Sequence, residues 1–240
     1  MDFEAIVNYR RSVRVYTNEP IDTEKVKKCI ELATLAPNSS NMQLWEFVHV
    51  VSPAIISQLA EACLNQNAAK TAQQLLVVVV RKDLWSKRAK QNLEFASNQF
   101  DDKADERTQK RQKGIIQYYD KLMPFLYSSF LGVLGGFRKL IVSVVGIFRP
   151  IARQVSEADM RVVAHKSAAL AAQTFMLAMA AQKYDTCPME GFDSYKVKKI
   201  LGLPYSAEIN MIISCGIRNT EKGIYGERFR VPFEEVYSQK

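Results

Sequence analysis

Apolar residues recur at helical spacing early in the chain. After Thr23 they stand at every third or fourth position, at Val26, Ile30, Ala33 and Leu35. Residues three or four apart share one face of an α-helix, and Pro37 cannot continue a helix. The pattern therefore predicts an amphipathic helix over 23–36. Similar spacing predicts helices over 55–70 and 195–201.

A longer stretch, from Ala164 to Tyr184, is apolar nearly all round. A helix that has no polar face must be buried on every side. We therefore expect this helix at the centre of the fold or at the centre of a dimer.

Three short apolar runs, 47–51, 75–80 and 209–215, have the composition of β-strands. The run 75–80 is unbroken and mostly valine, which is typical of a strand in the middle of a sheet. Helices that alternate with a few strands indicate an α+β or α/β sandwich in which helices cover a small sheet. A chain of 240 residues can bury such a core as a single domain.

The middle of the chain consists of a polar stretch followed directly by an apolar one. Residues 82–123 are polar and charged on more than one face, which predicts exposed helix with a mobile stretch. Residues 125–148 are strongly apolar, but Arg138 and Lys139 at their centre would each cost about 2.5–3.5 kcal/mol at mid-bilayer. A membrane-spanning helix is therefore disfavoured. A single long helix is further weakened by Gly132, Gly135, Gly136 and Gly146.

The net charge of +8 is compatible with a nucleic acid, a membrane surface or a bound phosphate as partner. A nucleic acid is disfavoured, because the arginines cluster at the chain ends and no recognition-helix motif or aromatic sheet motif accompanies them. The N-terminal residues 1–7 carry acids and do not resemble a signal peptide, so we expect a cytoplasmic protein.

Four cysteines, Cys29, Cys63, Cys187 and Cys215, lie far apart, and the chain has two histidines. No pair of cysteines has the Cys-x-x-Cys spacing. A disulfide framework and a zinc site are both unexpected.

Two arginine-rich motifs stand near the chain ends. Arg10-Arg11-Ser12-Val13-Arg14 offers three guanidinium groups and a hydroxyl within five residues, a set suited to binding phosphate. Arg228-Phe229-Arg230 would place both arginines on one side of an extended segment. Taken alone, the first motif is more typical of a solvated basic turn than of a phosphate site, and the second indicates no function.

Two loops carry further candidates. The loop over 36–45 is rich in short hydrogen-bonding side chains. The proline and glycine of the segment Cys187-Pro188-Met189-Glu190-Gly191-Phe192 predict a turn, where a backbone N–H can approach a ligand closely. Ordinary turn chemistry would account for the first loop, and a connector between helices would account for the second.

The order of these four motifs resembles that of the FMN-dependent nitroreductase family: Arg-Arg-Ser-x-Arg, Pro-x-Ser-Ser-Asn-x-Gln-x-Trp, Pro-Met-Glu-Gly-Phe and Arg-x-Arg. The resemblance covers about the first eighty and the last eighty residues. It implies an α+β nitroreductase-like sandwich, with a small mixed β-sheet flanked by helices, in an interlocked homodimer. A single FMN-binding domain over 1–240 would then carry an insertion or lid at about 82–157.

The resemblance also implies which residues hold FMN. The phosphate and ribityl chain would contact Arg10, Arg11, Ser12 and Arg228 or Arg230, and Arg14 would lie nearer the pyrimidine edge of the ring. The partner chain would supply Pro37, Asn38, Ser39, Ser40, Asn41 and Gln43. Asn67 and Lys70 would complete the site, with Asn65 as the alternative to Asn67. Pro188 and Met189 would cover one ring face, and Glu190 and Gly191 would offer backbone N–H groups to flavin N5.

The implied activity is the reduction of small, electron-poor substrates such as nitroaromatics or quinones by NAD(P)H, in a ping-pong reaction. Arg14 and Lys70 would stabilise negative charge on the reduced ring, and no catalytic nucleophile is required. No Gly-x-Gly-x-x-Gly, Gly-x-Ser-x-Gly or Walker motif is present, so a separate nucleotide domain is not indicated. Alternatives are a flavin-binding protein without reductase turnover and a reductive dehalogenase or enone reductase of the same family.

Three interpretations of residues 125–148 remain open. They form a lid over the active site, extra packing at the dimer interface, or an amphipathic anchor on a membrane surface. Phe125, Tyr127 and Phe130 could line a pocket, which favours the lid, and Arg149 and Arg153 keep the membrane surface open. Of the three, membrane contact is the least favoured by the sequence.

Overall fold

A four-stranded sheet lies at the centre of the computed structural model, which describes residues 2–101, 103–130 and 132–240. The sheet has the strand order β1-β2-β4-β3, and each neighbouring pair is antiparallel. The strands are β1 (Trp45–Val50), β2 (Gln74–Val80), β3 (Asp185–Met189) and β4 (Glu208–Gly216). The prediction of a mixed sheet is therefore wrong for these strands, although one parallel bridge joins Ser12 to Thr186 beside β3.

Strand β2 divides the core into two clusters. Leu76, Val78 and Val80 point to one side of the sheet, and Leu75, Val77 and Val79 point to the other. Successive side chains of a strand face opposite sides, so a strand covered on both faces must be apolar at every position. This arrangement explains the unbroken valine-rich run and confirms its central place.

Helices cover both faces of the sheet. The first face carries α2 (Thr23–Ala33) and α9 (Glu157–Ala181), and the second carries α3 (Pro53–Ala62) and α10 (Ser194–Leu201). Short helices are α1 (Phe3–Tyr9), α4 (Asn67–Lys70) and α11 (Phe233–Val236). Side chains cap the N-termini of two of these helices. Asp22 accepts from the N–H groups of Glu24 and Lys25 at the start of α2, and Ser156 forms a capping box with Asp159 at the start of α9.

Three helix predictions need correction. Helix α2 ends at Ala33, so Leu35 lies outside it and is exposed. The stretch 55–70 is not one helix, because the chain leaves α3 through Leu64 and Asn65 with φ of 58° and 55° before α4 begins. Helix α9 is buried on one side, whereas Val162 and Leu170 on its other side are about half exposed.

The segment Cys187-Pro188-Met189 is a strand and not the predicted turn. It forms most of β3, which is the last strand in the sheet order. A proline has no N–H to donate to a neighbouring strand, and an edge strand leaves one side of its backbone unpaired. Pro188 is therefore tolerated in β3, and the turn begins only after Met189.

Residues 82–157 form a helical excursion. It contains α5 (Trp85–Ser97), α6 (Glu106–Gln117), a π-helical turn at Tyr118–Leu122, α7 (Met123–Tyr127) and α8 (Val133–Phe148). As expected, the stretch 125–148 is not a single helix, because Gly132 with φ of 80° lies between α7 and α8; Gly135, Gly136 and Gly146 lie inside α8 and do not break it. A Cβ atom at Gly135 would lie 3.1 Å from the backbone nitrogen of Glu157, so glycine lets α8 approach the start of α9.

Arg138 is buried where α8 packs on the rest of the excursion. Its Nε donates to the carbonyl oxygen of Val155 at 2.8 Å, and its Nη1 donates to those of Phe125 and Ser128 at 2.9 and 2.8 Å. Two of these carbonyls lie at the end of α7, where backbone acceptors lack helical partners. Across the described part of the chain, no helix is long and apolar enough to cross a membrane.

Candidate functional site

The two ends of the chain meet in a cavity of about 220 Å³, which we call the arginine cleft. It is lined by Arg10, Arg11, Ser12, Arg14, Ile224, Tyr225, Glu227, Arg228, Phe229 and Arg230. The guanidinium of Arg11 donates to the carbonyl oxygen of Gly226 at 2.9 Å, and that of Arg228 donates to the carbonyl oxygens of Asn8 and Arg10. The structure therefore brings the two arginine motifs of the sequence together.

Backbone contacts on both sides of a buried valine hold the first motif in place. Val13 is fully buried, and its N–H donates to the carbonyl oxygen of Thr186 at 3.1 Å. The next N–H, that of Arg14, donates to the carbonyl oxygen of Gly223 at 2.6 Å. A Cβ atom at Gly223 would lie 2.4 Å from the carbonyl oxygen of Asn219, so this turn requires glycine. The arginines beside Val13 are thus positioned by backbone on two sides.

The arginine cleft has a strong excess of positive charge. Burial lowers the pKa of Arg10, and the positive charges of Arg228 and Arg230 lower it further. Among the described lining residues, Glu227 alone carries a carboxylate. Crowded guanidinium groups without matching carboxylates are suited to a multivalent anion, which would relieve their repulsion and accept paired hydrogen bonds.

A second cavity, of about 190 Å³, adjoins the arginine cleft because Arg14 and Tyr225 line both. Its other lining residues are Gln66, Asn67 and Ala68. The side chain of Asn67 donates to the Tyr225 hydroxyl at 3.4 Å, and that of Gln66 donates to the carbonyl oxygen of Gly191 at 2.7 Å. The start of α4 and the turn after β3 therefore both reach this region.

Lys70 and Asn65 do not line either of these cavities. They line a separate groove of about 450 Å³, together with Pro53, Ile56, Ser57, Ala60, Glu61, Ala72 and Gln73. Asn67 and Lys70, which the sequence analysis paired, do lie three residues apart in α4, but they line different cavities. Gln66 and Tyr225, which the sequence analysis did not single out, stand beside Arg14 instead.

Pro188 and Met189 end β3, the strand that runs beside the first arginine motif, and Glu190 and Gly191 begin the turn that follows it. Met189 is buried, whereas Glu190 and Gly191 are exposed. The thiol of Cys187 lies close to both Arg10 and Arg14, but burial outweighs their charges and raises its pKa. Cys187 is thus a neutral, buried thiol under the arginines, which is a packing role.

The loop over 36–43 lies elsewhere and packs on the cluster that contains α9. Its hydrogen bonds are directed to the excursion and to α9. The Ser40 hydroxyl meets the Tyr118 hydroxyl at 2.6 Å, and the backbone N–H of Ser39 donates to the Ser167 hydroxyl at 3.3 Å. Within the described ranges, no hydrogen bond connects this loop to the arginine cleft.

This loop, which we call the Asn-Ser loop, has an unusual backbone. Ser40, Asn41 and Gln43 have φ of 55°, 50° and 46°, a conformation that costs free energy for residues other than glycine. Asn41 compensates by exchanging two hydrogen bonds with Asn92 of α5, at 2.8 and 2.9 Å. Loop positions 37–43 are therefore held in one shape by side chains from the excursion.

The excursion residues that hold the Asn-Ser loop, Asn92, Tyr118 and Tyr119, were not anticipated. The Tyr119 hydroxyl donates to the carbonyl oxygen of Ser40 at 3.2 Å, next to the bond made by Tyr118. Both tyrosines lie in the π-helical turn, and π-turns occur preferentially at functional sites. That turn is not visible in the apolar pattern, because it adds one residue to a helix without changing its composition.

Comparison with known proteins gives consistent matches along the chain. The family model described as "Nitroreductase family" matches residues 7–217. The Bacillus subtilis protein MhqN, which is named as an NAD(P)H nitroreductase, is 26% identical over 223 residues, covering 92% of this chain and 90% of its own.

Two solved structures share the fold. That of ydfN from Bacillus subtilis has a TM-score of 0.74 at 25% identity and covers 100% of this chain and 99% of its own. A protein from Exiguobacterium sibiricum, solved in complex with FMN, has a TM-score of 0.66 at 23% identity, with 100% and 98% coverage. The α+β sandwich inferred from the sequence is thereby confirmed.

Proposed function

The chain belongs to the nitroreductase family and is an NAD(P)H-dependent oxidoreductase with FMN as its cofactor, and we propose that it reduces small, flat, electron-poor compounds such as nitroaromatics or quinones. The observation that carries this proposal is the arginine cleft. Its charge and its position at the junction of both chain ends suit the phosphate end of a flavin nucleotide.

The residues present fit FMN in chemistry as well as in charge. A phosphate dianion would meet the guanidinium groups of Arg10, Arg228 and Arg230; burial lowers the pKa of Arg10, and repulsion from the other two lowers it further. The Ser12 hydroxyl and Arg11 line the same cleft and would bind phosphate or ribityl oxygens. A neutral or cationic ligand would leave these charges unpaired.

The adjoining cavity would hold the ring. Arg14 would place positive charge beside the pyrimidine edge, with Asn67 and Gln66 as hydrogen-bond donors nearby. Pro188 and Met189 would cover one ring face, and the backbone N–H groups of Glu190 and Gly191 would approach N5. We retain Asn67 from the sequence prediction, and we propose Gln66 in place of Lys70, which lines the separate groove.

Bound FMN supplies the redox chemistry, since it accepts hydride from NAD(P)H and passes electrons to the second substrate. The protein's own groups bind the phosphate, orient the ring and offer positive charge. Both substrates would use the same pocket in turn, so the reaction would follow ping-pong kinetics. No side chain is required as a nucleophile.

We further propose that the enzyme is a homodimer and that each site is completed by the partner's Asn-Ser loop. Within one chain, this loop and the arginine cleft pack on opposite faces of the sheet. Helix α9, which borders the loop, keeps Val162 and Leu170 half exposed, as expected for a surface that pairs with a second copy. The polar groups of Asn38, Ser39, Ser40 and Asn41, with Pro37 and Gln43, would then face the partner's flavin.

The proposed domain arrangement is a single FMN-binding domain with an insertion at 82–157. The first part of the insertion would form a wall of the substrate pocket, because α5 and the π-helical turn hold the Asn-Ser loop through Asn92 and Tyr118. All four cysteines are free and buried, which agrees with the cytoplasmic location that we propose.

The decisive experiment is the visible absorption spectrum of the purified protein, followed by anaerobic addition of NADH or NADPH. We expect flavin bands near about 450 nm that bleach with a nicotinamide nucleotide and recover when a nitroarene or quinone is added. A colourless protein that takes up no added FMN would refute the proposal. Bound FMN that no nucleotide reduces would instead indicate a flavin-binding protein without reductase turnover.

A further inference from the structure

Helix α8 presents a continuous apolar stripe to the outside of the protein. Apart from the adjacent last two, its members stand at three- and four-residue intervals, and each is 51% to 82% exposed: Val133, Phe137, Leu140, Val144, Ile147 and Phe148. With a rise of about 1.5 Å per residue, the stripe is roughly 24 Å long. Isolated exposed apolar residues are ordinary, but a row of six large ones on one helix face indicates a binding surface.

The opposite face of α8 is fixed to the protein. Gly135 packs against the start of α9, Arg138 is hydrogen-bonded to three carbonyl oxygens, and Val142 is buried. Arg153 also closes over Gly146, to whose carbonyl oxygen it donates at 3.0 Å. The helix therefore cannot turn its stripe inward without losing these contacts, and the stripe is a stable feature of the surface.

The charges within the segment that carries the stripe are all positive, whereas the carboxylates of Glu157 and Asp159 lie at the start of α9, near Gly135 and Lys139. No acidic residue occurs from Lys121 to Ser156, whereas this stretch contains five lysines and arginines. Lys139, Arg149 and Arg153 are exposed on α8 or just after it. The surface thus combines an apolar row with flanking cations, and a complementary partner must be both apolar and anionic.

We propose that α8 binds the surface of an anionic lipid bilayer, with its apolar stripe in the headgroup and upper acyl region. Phenylalanine, leucine and isoleucine on one face with lysine and arginine beside them are the features of helices that lie in that region. The helix would lie parallel to the membrane plane, because its other face stays on the protein. This proposal is independent of the flavin chemistry.

A second copy of the chain is a poorer occupant for this stripe. Twofold pairing through the same face would bring Lys139, Arg149 and Arg153 of both copies to one interface, where like charges repel. Anionic phospholipid headgroups would instead neutralise these charges. Charge complementarity therefore selects the lipid surface over self-association.

The test is flotation of the full-length, FMN-loaded protein with vesicles of phosphatidylcholine, either pure or containing about one quarter phosphatidylglycerol. We expect binding to the anionic vesicles and little to the neutral ones. Phe137→Ser with Phe148→Ser should weaken binding by about tenfold or more, because two large apolar side chains are lost from the stripe. The matched control, Tyr195→Ser with Tyr205→Ser, removes aromatic side chains that are 70% and 93% exposed and should bind like the wild type.

A second pair of variants tests the charge requirement. Lys139→Glu with Arg149→Glu should abolish the preference for anionic vesicles, whereas Lys196→Glu with Lys199→Glu on α10, which changes net charge equally, should keep it. Flavin content and molecular mass by light scattering should stay unchanged in all four variants.

Three outcomes would overturn the proposal. The wild type could fail to bind anionic vesicles, or it could bind neutral and anionic vesicles equally. The stripe variant could also change the oligomer mass or lose flavin in the absence of lipid, in which case the stripe covers a second copy or the active site. If the matched control loses flavin as well, the loss is a general effect of the substitutions. The vesicle preference of the charge variants then decides whether α8 binds anionic lipid.

Discussion

The arginine cleft and the Asn-Ser loop are the two parts of the candidate flavin site, and they are built in opposite ways. The cleft is assembled from the two ends of the chain, and its side chains are cations with few carboxylates to neutralise them. The loop is a continuous segment whose polar groups bond to one another and to α5, α9 and the π-helical turn. The cleft can therefore still bind an anion, whereas most polar groups of the loop already have hydrogen-bond partners within their own chain.

This difference suggests how binding free energy is divided between the two parts. Charged hydrogen bonds to phosphate contribute about 1.5–3 kcal/mol each, roughly twice as much as neutral ones. The cleft should therefore determine how tightly FMN is held. The Asn-Ser loop, which carries no charged side chain over 37–43, should affect orientation and substrate access more than affinity.

The largest effect is expected from Arg10→Ala combined with Arg228→Ala. Loss of two charged phosphate contacts should weaken FMN affinity by about a hundredfold or more. Flavin retained after gel filtration and the Kd from fluorescence titration would measure the change.

The control for this variant is Lys198→Ala with Lys199→Ala, which removes the same charge from α10. It should keep wild-type flavin content. Equal flavin loss in both double variants would mean that overall charge, and not the cleft, retains FMN.

The next largest effect tests whether cleft and loop come from different chains. One inactive variant would carry Arg10→Ala and Arg228→Ala, and the other would carry Asn38→Ala and Asn41→Ala. If each site combines the cleft of one chain with the loop of its partner, a mixed dimer holds one intact site. Random exchange should then restore about a quarter of wild-type activity, because half of the dimers are mixed and each has one working site of two.

Mixing each variant with itself is the control, and it should restore nothing. Absence of activity after proven subunit exchange would place cleft and loop of a working site in the same chain. The comparison between the two regions would then concern one flavin pocket, and the dimer proposal would need another basis.

The sequence indicated the cleft better than it indicated the contacts of the loop, and the reason is physical. The arginines are close in sequence, and their chemistry is apparent without knowledge of the fold. The partners of the loop, Asn92 and Tyr118, are 51 and 78 residues away from Asn41 and Ser40, so only the folded chain brings them together. Local patterns cannot report contacts of that range.

The fold shows the same limits. Strand β2 could be predicted because burial on both faces makes every position apolar. Edge strand β3 was missed because Pro188 is a turn signal in most contexts. The pairing of Asn67 with Lys70 assumed that two residues three apart in a helix serve one site, but they stand at the two ends of the four-residue α4 and line different cavities.

A moderate effect should distinguish Asn67 from Lys70. Asn67 faces the cavity shared with Arg14, so Asn67→Ala should weaken FMN binding by about fivefold, the typical value of one neutral hydrogen bond. Lys70→Ala should stay within about twofold of the wild type, because Lys70 lines the separate groove. The reverse order of effects would restore Lys70 to the flavin site and extend the cleft toward that groove.

The smallest effect should come from Tyr118→Phe, which removes the hydroxyl that meets Ser40. Because this bond is partly exposed, we expect about a threefold loss of kcat/KM for the electron acceptor, with FMN affinity unchanged. Ser40→Ala should give the same loss, and the double variant should lose no more, since both changes remove one interaction. Tyr205→Phe is the control, because this tyrosine between α10 and β4 is 93% exposed, and it should leave kcat/KM unchanged. If Tyr118→Phe instead lowers FMN affinity as strongly as the arginine variants, the Asn-Ser loop contributes binding free energy of its own, and the proposed division between cleft and loop is wrong.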